Sequence, residues 1–304
     1  MKIAILSKGP GNYSTKRLKE EAIKRGHEVD VINYIHCEAR IEPGNPVVIY
    51  GGEPLTGYDA IIPRIASSYT RYGTAVVRQF EMQGTFTTAS SIAIVRSRDK
   101  LRATQLLARA GIDIPKTIFS RGLADSDTIV EEVGGPPVII KLARGTHGRG
   151  GVLAETRKAA KSVLQALSLN DDDGTNILLQ EYVEESAGTD IRAFVVGGQV
   201  VASMKRQNLN PDDFRSNLHQ GGEGTTIKLT DDEKRIALKA AKAMGLAICG
   251  VDMMRSKRGP LVLEVNSSPG FAIEQITGRN VGEKIIEYVE RNAKARRRKD
   301  RVGA

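Results

Sequence analysis

Two apolar segments late in the chain each carry a carboxylate at their centre: Gly250-Val251-Asp252-Met253-Met254 and Leu261-Val262-Leu263-Glu264-Val265-Asn266. Both read as strands, joined by a turn at Lys257-Arg258-Gly259-Pro260. Residues two apart on a strand share a face, so Glu264 and Asn266 present their oxygen atoms together. With Asp252 on the partner strand they make an all-oxygen set suited to Mg²⁺, which keeps some water and takes its other ligands from nucleotide phosphates. The alternative is a set of solvated surface carboxylates. Against it, apolar residues flank Asp252 and Glu264 on both sides.

A second constraint lies upstream. After the break Gly134-Gly135-Pro136-Pro137, the strand Val138-Ile139-Ile140 ends on Lys141, and a glycine-dense loop follows, Gly145-Thr146-His147-Gly148-Arg149-Gly150-Gly151. Four glycines in seven residues let backbone N–H groups approach a phosphate closely. It is not a Walker A loop, because Gly150-Gly151-Val152 stands where Gly-Lys-Ser/Thr is required. A plain surface turn is the alternative, but an ammonium at the end of a buried strand needs an anion nearby. A third candidate is the polar stretch from Lys205-Arg206-Gln207-Asn208 to Asp213-Phe214-Arg215-Ser216-Asn217-Leu218-His219-Gln220-Gly221-Gly222. Its guanidinium groups match phosphate or carboxylate bidentately, although a solvated loop would have the same composition.

The remaining elements organise these pieces. Ile3 to Leu6, a Gly9-Pro10-Gly11 turn, a helix from about Ser14 to Arg25 and the strand Val29–Ile32 form a βαβ unit. Ser14 stands where a dinucleotide fingerprint needs its third glycine, so a Rossmann dinucleotide site is rejected. With the strand Ala60–Pro63 and a helix ending near Gly84, this predicts a doubly wound lobe over residues 1–95. Asp99 can cap a helix that Gly111 ends; Gly197-Gly198 signals a hairpin; and Thr230 with Glu233 forms a capping box on a helix over Asp231–Met244. Residues 96–184 and 185–290 form two further units, and 291–304 a basic tail.

Charge separates in the same way. The net charge of the 304 residues is +9, and the tail, with seven cations against Asp300, accounts for +6 of it. The body is nearly balanced, which argues against sequence-specific nucleic-acid binding. An aromatic content of 5% with no tryptophan leaves few stacking platforms for bases. The two cysteines, Cys37 and Cys249, form no C-x-x-C pair and suit a reducing compartment. With no apolar stretch long enough for a signal peptide or a span, the expectation is a cytoplasmic protein with no membrane association.

The order of Asp99-Lys100, Lys141 with its glycine loop, Gln180-Glu181-Tyr182, Asp190-x-Arg192, Asp213-Phe214-Arg215-Ser216-Asn217, Asp252 and Glu264-Val265-Asn266-Ser267-Ser268-Pro269-Gly270 resembles the ATP-grasp ligases, in particular the RimK type. The likeness extends to Pro63-Arg64-Ile65 near the amino terminus. It implies an α/β (α+β) chain with an ATP-grasp fold behind an amino-terminal doubly wound lobe. It also implies that Lys100 and Lys141 contact ATP phosphates, that a loop with Gly145, Gly148 and Gly150 closes over them, and that Glu181, Tyr182 and Val183 line the adenine and ribose end with Asp190 nearby. By the same likeness Arg215, Ser216 and Asn217 sit by the γ-phosphate and the acceptor carboxylate, with Arg206 assisting. Asp252, Glu264 and Asn266 would hold two Mg²⁺ or Mn²⁺ ions.

The implied activity is addition of L-glutamate to a protein C-terminus, that of ribosomal protein S6, by a homo-oligomer. ATP would phosphorylate the acceptor carboxylate, and an amine would displace phosphate from the acyl phosphate. Cations stabilise the transferring phosphoryl group and loop closure excludes water. The same chemistry on a cofactor tail or an amino-group carrier protein is one alternative. A basic ribosome- or nucleic-acid-binding module with a degenerate cleft is another.

Overall fold

The computed structural model describes residues 1–121, 126–142, 151–168, 176–186, 188–209 and 222–293. The chain opens with β1 (Lys2–Ser7), α1 (Tyr13–Lys24) and β2 (Glu28–Ile32), followed by the short strands β3 (Cys37–Arg40), β4 (Val47–Tyr50) and β5 (Glu53–Leu55). Next come β6 (Ala60–Arg64), α2 (Thr70–Met82), β7 (Phe86–Thr87) and α3 (Ser91–Arg98). Four strands form a parallel sheet in the order β2-β1-β6-β7. The run Ile3-Ala4-Ile5-Leu6 is fully buried, as a parallel strand covered on both faces must be. The antiparallel sheet β3-β4-β5 was not anticipated from the sequence.

The middle segment consists of α4 (Lys100–Arg109), β8 (Thr117–Arg121), α5 (Ser126–Glu132), β9 (Val138–Leu142), β10 (Gly151–Ala154), α6 (Arg157–Ser168) and β11 (Asn176–Glu181). Its strands pair antiparallel in the order β10-β9-β11-β8. Val138 and Ile140 of β9 and Ile177 and Leu179 of β11 share one face and pack with Val130, Ala160 and Leu164 of α5 and α6. The opposite face carries Ile139, Lys141, Leu178 and Gln180, so alternation alone sends Lys141 away from this core.

The last segment holds β12 (Thr189–Val196), β13 (Gln199–Gln207), β14 (Glu223–Thr226), α7 (Asp231–Met244), β15 (Ile248–Ser256), β16 (Gly259–Asn266), α8 (Ala272–Thr277) and α9 (Val281–Ala293). The sheet runs β14-β13-β12-β15-β16, antiparallel throughout. Its β12–β13 hairpin turns on Gly197 and Gly198, whose φ values of 58° and 81° suit a two-residue primed turn. Two cores join this sheet to the first lobe. One brings Ala4, Leu6 and Ile61 together with α7 and with Val251, Met253 and Val265, and also takes in Ala103 and Leu107 of α4. The other packs Ile3, Ile5 and Leu18 with Phe194, Phe271, Ile285 and Val289.

Helix α7 braces β15. Glu233 accepts from Thr230 N at 2.8 Å, Glu233 N donates to Thr230 Oγ1 at 3.1 Å, and Arg255 of β15 donates through Nε to Glu233 at 2.6 Å. Burial acts to raise the Glu233 carboxyl, but Arg255 and the Thr230 N–H outweigh it and hold the group below the usual range. Its stabilising contribution is therefore present at neutral pH and fades on acidification through the carboxylate range. Thr230→Ala should lower the unfolding free energy by about 1 kcal/mol, read from denaturant midpoints. Glu233→Gln should cost more at pH 7 than at pH 3.

Candidate active site

In the last sheet, register brings charged residues of neighbouring strands onto one face. Arg192 lies opposite Asp252, and Asp252 lies opposite Glu264, giving a row of three across β12, β15 and β16. Two residues earlier on β12, Asp190 lies opposite Arg206 of β13. Directly after the Asp252–Glu264 pair the β15–β16 register shifts, Met253 pairing with Val262, so Leu263 is an extra residue. Such a bulge lets the strand re-aim its side chains.

Asp252 is 2% exposed and takes most of the available charge. Arg192 donates to it from Nε at 2.7 Å and from Nη2 at 2.6 Å, and Arg206 Nη2 lies 2.9 Å from Oδ2. Arg206, 3% exposed, also donates Nε to Asp190 at 2.6 Å and pairs with it a second time through Nη2. Burial would raise the Asp252 carboxyl, but the two guanidinium groups reverse that and hold it far below the usual range. Burial would lower Arg206; Asp252 and Asp190 instead raise it. Arg192 reaches Asp252 across Gly250, where an added Cβ would sit 3.4 Å from Arg192 Nε and 3.1 Å from Pro269 Cβ.

Glu264 behaves differently. It stays accessible, and burial by its surroundings together with the Asp252 charge raises its carboxyl. Asn266 bridges the two, its Nδ2 donating to Glu264 Oε1 at 2.9 Å and to Asp252 Oδ2 at 3.2 Å. Like charges directly opposite on a sheet repel, and here an amide hydrogen lies between them. Turned over, the same amide would offer a carbonyl oxygen beside two carboxylates, which is a hard-donor set fitting Mg²⁺ or Mn²⁺. No group of three or more acidic, histidine or cysteine side chains suited to a metal occurs among the described residues.

Two lysines converge on Glu264 from elsewhere in the chain. Lys141 Nζ donates to Gln180 Oε1 at 2.6 Å, and Gln180 in turn donates to Thr117. Burial lowers the Lys141 ammonium to about 8; Glu264 acts to raise it and Lys100 to lower it further. Lys100, in the first turn of α4 behind the Asp99 cap, is also lowered by burial and supported by Glu264. Among the described residues, Asp190, Asp252 and Glu264 thus stand with Arg192, Arg206, Lys100 and Lys141, three carboxylates with four cations. A face with that balance suits a metal ion arriving together with a polyphosphate.

The other anticipated residues divide. Glu181 accepts from the Lys116 N–H at 2.7 Å and pairs with Arg258 of the β15–β16 turn. Tyr182 is half-buried, and Val183 is 6% exposed. Gly145, Gly148, Gly150, Arg215, Ser216 and Asn217 lie outside the described residues, as does the tail beyond residue 293. The pairing of Arg192 with Asp252 is not among the contacts expected from the sequence. The spacing Asp190-x-Arg192 put both on one strand face and was the available signal.

A twisted sheet carrying lysine, facing a second sheet carrying an acidic row, is the arrangement of an ATP-grasp fold. Solved structures agree. The ATP-grasp ligase PsnB complexed with a minimal precursor superposes with a TM-score of 0.72 at 20% identity, over 95% of this chain and 98% of that one. D-alanine–D-alanine ligase from Bacillus anthracis gives 0.64 at 16% identity, over 97% and 98%. Residues 97–289 match the RimK-like ATP-grasp domain and residues 1–94 the RimK pre-ATP-grasp domain, so the chain belongs to the RimK-like ATP-grasp family and is an ATP-dependent ligase. A protein of Picosynechococcus sp. named probable alpha-L-glutamate ligase is 55% identical over 303 residues, 99% of each chain. One of the same name from Teredinibacter turnerae is 52% identical over 303 residues, again 99% of each.

The two acidic residues should respond oppositely to neutralisation. Asp252→Asn removes the carboxylate from Arg192 and leaves Arg206 with Asp190 alone, and should cost roughly 3–5 kcal/mol in denaturant unfolding, whereas Glu264→Gln relieves repulsion and should leave stability unchanged or higher. Lys141→Met should raise the melting temperature of the ligand-free protein at pH 7. The unfolded chain binds the lysine proton more tightly than the folded one, so the penalty is full below pH 8 and shrinks above it. The gain should therefore be smaller at pH 10 than at pH 7.

Proposed function

We propose that this ligase is an α-L-glutamate ligase joining the amine of L-glutamate to the C-terminal carboxylate of a protein. Ribosomal protein S6 is the acceptor the RimK likeness favours, and short oligo-α-glutamate chains are a further product. The observation that carries the reading is the 55% identity, over 99% of each chain, to a protein named for this activity. On this reading residues 1–95 form the pre-ATP-grasp lobe, 96–184 and 185–290 the two halves of the ATP cleft, and 291–304 a basic arm for an acidic acceptor. The enzyme works in the cytoplasm as a homo-oligomer.

The residues divide the work by charge. Lys141 and Lys100 hold the ATP phosphates, and the phosphate dianions give Lys141 the anion that Gln180, a neutral acceptor, does not supply. Mg²⁺ or Mn²⁺, as one or two ions held by Glu264, Asn266 and Asp252, would neutralise charge on the transferring phosphoryl group. Arg206 is assigned a positioning role, because both its carboxylate partners are enclosed with it: it fixes Asp252, and through Asp252 the attitude of Asn266. Gly145, Gly148 and Gly150 would cover the phosphates, while Arg215, Ser216 and Asn217 receive the acceptor carboxylate. The γ-phosphoryl group passes to that carboxylate, the amine then attacks its carbon, and phosphate leaves with the bonding pair.

Such a mechanism requires no covalent protein nucleophile. Cys37 and Cys249 are fully buried, and burial pushes the Cys37 thiol up to about 12. Purified protein with ATP, Mg²⁺, L-glutamate and S6 should release ADP and phosphate only when glutamate is present, with the acceptor gaining the mass of one or more glutamate residues. Glu264→Ala should reduce this turnover by at least about 10³-fold while the protein stays folded. Absence of glutamate-dependent ADP release would falsify the reading. A mass shift on a carrier protein or a cofactor tail, and none on S6, would retain the ligase and replace its acceptor.

A further inference from the structure

In the first sheet the chain leaves β1 toward β2 and returns on the other side through β6. The crevice between the carboxyl ends of β1 and β6 is therefore the switch point at which open parallel sheets bind ligands. Ser7 and Arg64 lie side by side there in register. Arg64 donates through Nη2 to Ser14 Oγ at 3.1 Å and to the Pro269 carbonyl at 2.7 Å, and its guanidinium lies 5.2 Å from the Phe271 ring centroid. Its Nε is buried with no acceptor among the described residues. Arg98 donates to Ala66 O at 3.2 Å, Thr70 Oγ1 at 2.8 Å, Ser268 Oγ at 3.5 Å and the Ile65 carbonyl. Every one of these acceptors is neutral.

Burial, and then the Arg98 charge, lower Arg64 to about 10; burial lowers Arg98 to about 10 as well, against a smaller opposing effect of Tyr34. Two neighbouring, half-buried cations without a carboxylate partner among the described residues are costly for a fold that gains nothing else from them. Elsewhere the molecule pairs such groups: Arg206 meets two aspartates, and Arg17 meets Glu20, Glu21 and Glu274. Ser267 Oγ, on the turn that holds Ser268 and Pro269, is also buried without a partner among the described residues. That turn follows β16 at once and lies over Gly250 beside Arg192, so the arginine pair stands next to the Asp252–Glu264–Asn266 set. The site's other cations have other work: Lys100 and Lys141 face Glu264, and Arg192 and Arg206 are neutralised by aspartates.

We propose that Arg64, with Arg98 behind it, binds the α-carboxylate of the amino-acid substrate at the crevice between β1 and β6. The assignment rests on the ligase reading above. An amine and its α-carboxylate share one carbon, so a guanidinium fork on the carboxylate fixes how the amine approaches the activated acceptor. The approach comes from the first lobe, away from the lysines that hold the phosphates. Bidentate pairing suits arginine here: Arg64 Nε has no acceptor among the described residues, and the fork it makes with Nη2 opens to a carboxylate when Nη2 gives up its bond to Ser14 Oγ.

The test is titration calorimetry of L-glutamate into the full-length protein holding Mg²⁺ and a non-hydrolysable ATP analogue, for wild type, Arg64→Met and Arg64→Lys. Arg64→Met should weaken L-glutamate binding by at least about tenfold, leave the affinity for the analogue within about twofold, and keep or raise the melting temperature. Arg64→Lys should fall between. In turnover assays the wild type should prefer L-glutamate to 4-aminobutanoate, which lacks the α-carboxylate, and Arg64→Met should lose that preference through KM more than kcat. Equal glutamate binding by wild type and folded Arg64→Met, no glutamate binding by a wild type that turns over glutamate, or a loss confined to the ATP analogue each overturns the subsite. Turnover with another amino acid and none with glutamate would instead overturn the glutamate specificity. The Arg64 comparison, repeated with that amino acid and its decarboxylated amine, would then decide the subsite separately.

Discussion

The site depends on a cross-strand pair that a sheet would ordinarily avoid. Asp252 and Glu264 lie directly opposite each other, and their repulsion is managed asymmetrically. Asp252 is enclosed and neutralised by Arg192 and Arg206, while Glu264 remains accessible, with its negative charge available to something outside the sheet. Enclosing one carboxylate between guanidinium groups and leaving the other desolvated but accessible makes a rigid acid beside a responsive one. The two lysines converge on the responsive member.

Much of this was legible in the chain, because the relevant rules are local. Period two put Glu264 and Asn266 on one face, and the structure joins them by a hydrogen bond at 2.9 Å. The Thr230–Glu233 box, the Asp99 cap and the Gly197-Gly198 hairpin form where their residue types require. Helix α9 was passed over although Val281, Ile285, Ile286 and Val289 recur at helical spacing. The β3–β5 sheet had less signal, since its strands of three or four residues show little alternation.

Partnerships set by register between distant strands were not legible. Nothing near Arg206 in the sequence shows that it will face Asp190 and Asp252, the two carboxylates with which it pairs. Glu181, expected at the nucleotide, also meets Arg258, 77 residues away, a contact that its sequence neighbours do not announce. Arg64 and Ser268 belong to opposite ends of the chain, and only the packing of the first lobe on the last sheet brings them to one crevice. Local chemistry identified the acidic set; long-range topology decided which charges remain open to a ligand.

The apolar packing is not shared evenly. The first lobe and the last sheet are joined through two common cores, whereas the β8–β11 sheet with α5 and α6 has a core of its own, with no member in common with the others among the described residues. Water therefore need not enter any of the three clusters for that sheet to swing relative to the rest. One contact that must rearrange is the polar pair of Glu181 with Arg258, which solvent can replace at little net cost. A cleft built this way can open for exchange of its contents while its walls stay folded, and heat or denaturant should dismantle the molecule in more than one step.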